Sequence, residues 1–83
     1  MIFIVYIIYS PSLDKFYIGY TSDLEKRLFE HNNKISVFTS KAADWILKHS
    51  ETYYSRELAM KREQEIKKKK SRKYLEWLIS NKN

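Results

Sequence analysis

The eighteen residues Phe16–Asn33, FYIGYTSDLEKRLFEHNN, carry three side chains able to do chemistry: the phenol of Tyr17, the guanidinium of Arg27 and the imidazole of His31. Between them such groups can exchange a proton and hold an anion. Arg27 and His31 are four residues apart, so on a helix they project from one face about one turn from each other. A fourth candidate lies far along the chain. Glu63 falls in the middle of Ala59, Glu63 and Ile66, spaced i, i+4, i+7, which is the inward stripe of a helix. A carboxylate in such a stripe costs several kcal/mol unless it is paired or bound to a cation, and a conflict between pattern and chemistry is where sites are expected. Each residue also has an ordinary reading. Tyr17 and Tyr6 would serve as strand tyrosines, His31 as a surface or hydrogen-bonded histidine, and Glu63 as the partner of a lysine or arginine at the rim of the core.

Those side chains need a frame. Ile2–Tyr9, IFIVYIIY, is an almost unbroken run of β-branched and aromatic residues, the pattern of a central strand covered on both faces. The turn-forming SPSLDK of Ser10–Lys15 sends Phe16–Tyr20 back beside it as an antiparallel hairpin, in which Tyr6 and Tyr17 meet as cross-strand neighbours. Gly19 is the chain's one glycine and stands where strand passes to helix, a place for positive φ or for a backbone approach too close for a Cβ; a tight turn alone would also account for it. Ser22 and Glu25 have the spacing of a capping box. The first helix is therefore expected over Asp23–Asn32, with Leu24 and Leu28 inward and Asn32-Asn33 as a left-handed stop.

Residues 34–44 have no clear period and read as a loop beside the site. Trp45–Tyr54 has the content of a third strand, placed near the sheet edge by Lys48, His49 and Ser50. Ser55 caps a second helix running to about Lys69, and Ser71 caps a last one whose Tyr74, Leu75, Leu78 and Ile79 close the core, with Trp77 off that stripe. Between them Lys67–Lys73, KKKKSRK, is either a solvated face or a phosphate contact. The expected fold is α+β: a small three-stranded antiparallel sheet flanked by helices in the order β-β-α-β-α-α, one domain over residues 1–83.

Composition narrows the class. A chain of 83 residues buries only roughly 60 to 65 per cent of its unfolded surface, so a second core has no room. Hydrophobic residues at 43% and aromatic ones at 16% make it globular rather than disordered. Without cysteine there is no disulfide framework and no thiolate zinc site, and a reducing, cytoplasmic setting is compatible. Met1–Tyr9 has no basic flank and is far short of the roughly 20 residues that span a bilayer, so it reads as a strand and no membrane partner is expected. A net charge of +6 favours a polyanionic partner such as nucleic acid, the alternative being a fold with solvated lysines.

The pieces together resemble the GIY-YIG nuclease family, here as a compact stand-alone member similar to the nuclease domain of the bacterial excision-repair incision subunit. The resemblance covers Phe3 to Ile79. Tyr17-Ile18-Gly19 keeps the second half of the signature, and Ile4-Val5-Tyr6 keeps the tyrosine of the first half while losing its glycine. Arg27 follows Tyr17 by ten residues, His31 stands where the family carries histidine or tyrosine, and Ala59-Met60-Lys61-Arg62-Glu63 looks like the family's late helix with its metal-binding glutamate.

The resemblance implies hydrolysis of one DNA phosphodiester bond by an activated water with one Mg²⁺ or Mn²⁺ and no small-molecule cofactor. In that scheme Glu63 holds the metal, Arg27 contacts the scissile phosphate, Tyr17 is the general base, His31 relays the proton or orients Tyr17, and Tyr6 supports Tyr17 or touches the phosphate. A free phenol is ionised to roughly one part in a thousand at pH 7, about 4 kcal/mol uphill, which is why His31 stays an open assignment beside Tyr17. Gly19 and Tyr20 would lie against the substrate. Tyr20 stands where some relatives carry lysine, so the phosphate contact is expected from Lys41 or from the Lys67–Lys70 run. A protein partner supplying DNA specificity, in repair or recombination, fits a chain with no residues left for a targeting domain. The competing reading is a non-catalytic or partner-dependent nucleic-acid-binding module on the same fold.

Overall fold

The computed structural model describes residues 1–33, 40–69 and 71–80. Phe3–Ser10 forms strand β1, Lys15–Thr21 strand β2, Leu24–Asn32 helix α1, Ile46–Tyr53 strand β3, Arg56–Lys69 helix α2 and Arg72–Ser80 helix α3. The sheet is antiparallel in the order β2-β1-β3. The α+β expectation and its β-β-α-β-α-α order therefore hold.

β1 is apolar at nearly every position because both of its faces are covered. Phe3, Val5 and Ile7 point to the side closed by Ala59 and Ile66 of α2 and Leu78 of α3, with Phe16, Ile18 and Tyr20 of β2 packed against them. Tyr6 and Ile8 point to the other side, where Ala42 and Trp45 are buried and Leu24 and Leu28 of α1 pack. Each fully buried aliphatic residue of β1 contributes on the order of 1.5–3 kcal/mol. Trp77 is 56% exposed, as its place off the α3 stripe predicts.

α2 is held to β3 by charge as well as by packing. The carboxylate of Glu51 accepts from Arg62 Nε at 2.7 Å and Nη2 at 3.1 Å, and from the Tyr53 hydroxyl at 2.7 Å. Burial works to raise the Glu51 pKa, but the hydrogen bonds from Arg62, His49 and Tyr53 prevail and hold it at about 2. Tyr53, by its own burial and by donating to Glu51, is pushed up to about 12.

Three local expectations are corrected. The cap of α1 is Asp23, not Ser22: its carboxylate accepts from Lys26 N–H at 3.1 Å, and its own N–H donates to the Thr21 hydroxyl at 3.1 Å. A carboxylate at the positive end of the helix makes a stronger, charge-assisted cap than a serine hydroxyl, and shifting the cap by one residue takes Glu25 out of the box position. Asn33 is not left-handed, with φ −111°; its side-chain amide and its N–H both donate to Phe29 O, which satisfies the helix end. Among the described residues the non-glycine positive φ falls instead on Asp14 of the hairpin turn, at 53°. Gly19, finally, lies inside β2 and has no positive φ. Of the three reasons offered for it, a positive φ and a tight turn do not apply, and the close approach does.

Among the described residues, no helix is long and apolar enough to cross a membrane.

Candidate active site

Gly19 faces Tyr6 across the β1–β2 pair, while Tyr17 faces Ile8. Tyr6 and Tyr17 are thus diagonal neighbours on one face, with ring centroids 6.4 Å apart, rather than directly opposed. A Cβ at Gly19 would stand 2.6 Å from Tyr6 Oη, 2.9 Å from Tyr6 Cζ and 3.2 Å from Tyr17 Cε1. The missing side chain is the space into which the Tyr6 phenol lies.

His31 enters from α1 and completes the cluster. Its Nε2 is 2.9 Å from Tyr6 Oη, and its ring centroid is 5.1 Å from that of Tyr17. What places it there is the end of α1: the Asn32 side chain donates to Trp45 O at 3.0 Å and accepts from Trp45 N–H at 2.6 Å, stapling the helix to the start of β3. His31 is 1% exposed. Burial, helped by the cation of Arg27 and opposed by Glu30, holds its pKa below the ordinary histidine value. Burial, reinforced by Tyr17 and Glu63 against the pull of Arg27, pushes Tyr6 well above the ordinary phenol value. Both groups are consequently neutral near pH 7. A phenol is a stronger acid than a neutral imidazole, so we assign the bond as Tyr6 O–H donating to Nε2, with the imidazole proton on Nδ1.

Beside this cluster opens a cavity of about 320 Å³. Tyr6, Tyr17, Gly19 and Tyr20 line it from the sheet, Arg27 from α1, and Arg56 and Glu63 from α2. Residues 40 positions and more apart in the chain therefore meet around one space. The Tyr17 hydroxyl makes no hydrogen bond to protein among the described residues, whereas that of Tyr6 is committed to His31. Arg27 is 43% exposed, with Nη1 3.4 Å from Glu30 Oε1 one turn on. Glu63 is only 15% exposed, and its Oε2 is 3.5 Å from Lys67 Nζ.

The other expected contacts are distributed differently. His31 does not line the cavity but stands behind Tyr6 and Tyr17. Tyr20 lines it, though its hydroxyl is directed at Met60 Sδ, 3.5 Å away. Lys41 is exposed and does not line the cavity, and Lys67 reaches it only through Glu63. Lys70 lies outside the described residues. Arg56, Phe3 and Glu30 went unread in the sequence. Glu30 had a signal, the i, i+3 spacing from Arg27; Arg56 had only its place directly after the Ser55 cap.

Glu63 suits a hard cation. No group of three or more His, Cys, Asp or Glu side chains is assembled among the described residues, so a metal here would have one carboxylate and otherwise water. Mg²⁺ and Mn²⁺ accept such a shell, and at about 30 Å³ per water the cavity has room for several. The residues present therefore fit the ion.

Comparison with known proteins follows the same line. A family model described as the GIY-YIG catalytic domain matches residues 2–75. The solution NMR structure of the UPF0213 protein BH0048 from Bacillus halodurans is similar at 32% identity and a TM-score of 0.61, over 99% of this chain and 86% of that one. Among curated proteins none matches the chain.

Proposed function

The chain belongs to the GIY-YIG catalytic domain family, a family of nucleases, and on that premise we propose that it is a divalent-metal-dependent endonuclease hydrolysing a DNA phosphodiester bond. The observation that carries the proposal is the convergence of Tyr17, Arg27 and Glu63, from a strand and two helices, on one cavity. Tyr17 Oη, with no protein partner among the described residues, is the group able to take a proton from an attacking water. Tyr17 acts as its phenolate, having given its own proton to solvent. The new P–O bond forms to the water oxygen as that water's proton passes to Tyr17 Oη, the bond to the leaving ester oxygen breaks, and that oxygen takes a proton from solvent water to leave as an alcohol. Arg27 offers a planar fork for two non-bridging phosphate oxygens, held in place by Glu30. Glu63 would hold Mg²⁺ or Mn²⁺, which when bound supplies positive charge where the reaction develops negative charge. The Tyr6–His31 pair, neutral and buried, fixes the wall against which the Tyr17 ring rests. The setting proposed for this activity is repair or recombination of DNA in the cytoplasm, with a protein partner supplying specificity.

A second reading draws on the Lys67–Glu63 pair, which gives the carboxylate a counter-ion without any metal. On that reading the fold binds nucleic acid and does not cut it. Cleavage of supercoiled, linear, single-stranded and branched DNA with Mg²⁺ or Mn²⁺ decides between them. Metal-dependent cutting by wild type, lost in Glu63→Ala and reduced about 10²- to 10⁴-fold in Tyr17→Phe, is expected of the nuclease; no cutting on any substrate, with equal binding by all three proteins, is expected of the module.

A further inference from the structure

The chain has four arginines, and three of them are spent on carboxylates. Arg27 pairs with Glu30, Arg62 with Glu51 and Glu65, and Arg72 with Asp14 and Glu76. Arg56 has no carboxylate partner among the described residues. Its guanidinium carbon instead lies 5.0 Å from the centroid of the Phe3 ring, and the residue lines the same cavity as Tyr17, Arg27 and Glu63. Within that cavity the other two charges are each partly balanced, Arg27 by Glu30 and Glu63 by Lys67. The uncompensated positive charge is therefore that of Arg56.

We propose that Arg56 grips a backbone phosphate of the nucleic-acid strand next to the one that is cut, acting as a substrate-positioning residue. The inference rests on the nuclease reading for the word "cut", but the grip itself is a statement about binding. A guanidinium presents a rigid fork that matches two oxygens of a phosphodiester, and stacking on Phe3 limits the rotamers it must give up on binding. Arg56 is also the first residue of a 14-residue helix, whose N-terminal end adds a favourable field for an anion. Arg27 and Arg56 reach the cavity from different helices, α1 and α2, so a strand lying in it meets a guanidinium from each. The lysines do not duplicate this role: Lys41 does not line the cavity, and Lys67 faces Glu63.

The test is anisotropy of a fluorescein-labelled 20-nucleotide single strand and the corresponding duplex, in EDTA so that nothing is cut, for wild type, Arg56→Ala and Arg56→Lys over a range of salt. Loss of one phosphate contact is expected to weaken Arg56→Ala about tenfold at low salt and to flatten the plot of log K against log salt by about 0.9 for duplex and about 0.7 for single strand. Arg56→Lys keeps the slope while losing part of the affinity. Equal affinity and equal slope in Arg56→Ala would overturn the proposal, and so would displacement of the oligonucleotide by inorganic phosphate or a mononucleotide at comparable concentration. In cleavage assays the defect falls on KM; an equal loss in kcat with KM unchanged also counts against a positioning role. If wild type cuts nothing, the nuclease reading fails alone, because the salt slopes decide Arg56 without any turnover.

Discussion

Tyr6 Oη and His31 Nε2 form a 2.9 Å hydrogen bond between two side chains that are at most 2% exposed, 25 residues apart in sequence and neutral together. The pair ties β1 to α1 behind the cavity. Because the phenol is raised and the imidazole lowered, the bond persists across neutral pH without either group ionising.

The pH dependence of folding follows from the His31 shift. Its pKa in the folded chain is depressed, so the unfolded chain binds the proton more readily. The stability from neutral His31 is fully present above the unfolded value of about 6.5 and is lost as pH falls through the lower folded value. Urea denaturation from pH 7.5 to 5 should show stability falling with acid in wild type and a visibly flatter profile in His31→Gln. Superimposable profiles would mean that His31 titrates as it does in water.

Replacing Gly19 by alanine should be far more costly than its strand position suggests. The new methyl would lie 2.6 Å from Tyr6 Oη, and the Tyr6 ring cannot retreat without breaking its bond to His31. We expect a loss of about 1–3 kcal/mol, the usual range for overpacking, together with loss of any nucleolytic activity. Tyr6→Phe removes the oxygen nearest the intruding methyl, so the double variant should be less destabilised than the sum of the singles. Strict additivity in chemical denaturation would place the cost of Gly19→Ala somewhere other than against Tyr6.

How much of this was legible beforehand depends on the kind of signal. The unbroken apolar run of β1 declares a strand buried on both faces, and the Ser55 and Ser71 caps declare α2 and α3, because in each case a local pattern meets an uncontested local need. The first cap misled because Ser22 and Asp23 are adjacent and both competent; only the Thr21 hydroxyl, accepting from Asp23 N–H, decides between them. Glu63 announced itself as a charge in an apolar stripe. Arg56 could not, since an arginine beginning a helix is unremarkable until three others are seen to be paired and this one is seen on the cavity. The basic run drew attention for its density, yet number of lysines says nothing about which way they face.

The Glu51–Arg62 pair should set the acid limb of stability. Glu51 titrates at about 2 when folded, against an ordinary value near 4.3, so its contribution is present above the unfolded value and is lost as pH falls through about 2. Arg62→Met leaves the carboxylate without its two-pronged partner. Both side chains are 20% exposed, so the cost should fall below the 3–5 kcal/mol of a fully buried pair, at about 1–3 kcal/mol. Acid titration followed by circular dichroism should put the unfolding midpoint of Arg62→Met at higher pH than wild type; an unchanged midpoint would show that His49 and Tyr53 suffice to hold Glu51.

The Lys67–Glu63 pair makes a prediction about metal that does not need turnover. At 3.5 Å the ammonium competes with any cation for Glu63 Oε2, and because Lys67 is half exposed the contact is worth at most about 1 kcal/mol. Removing it should therefore leave Glu63 more available, and Lys67→Ala should bind Mn²⁺ up to about fivefold more tightly, whereas Glu63→Gln should abolish the site. Mn²⁺ titration followed by the water-proton relaxation of the bound ion reads this directly. Weaker binding in Lys67→Ala would instead mean that the lysine orients the carboxylate toward the metal, and metal binding unaffected by Glu63→Gln would remove Glu63 from the metal site altogether. The first outcome alone makes the ion pair a placeholder that a divalent cation displaces.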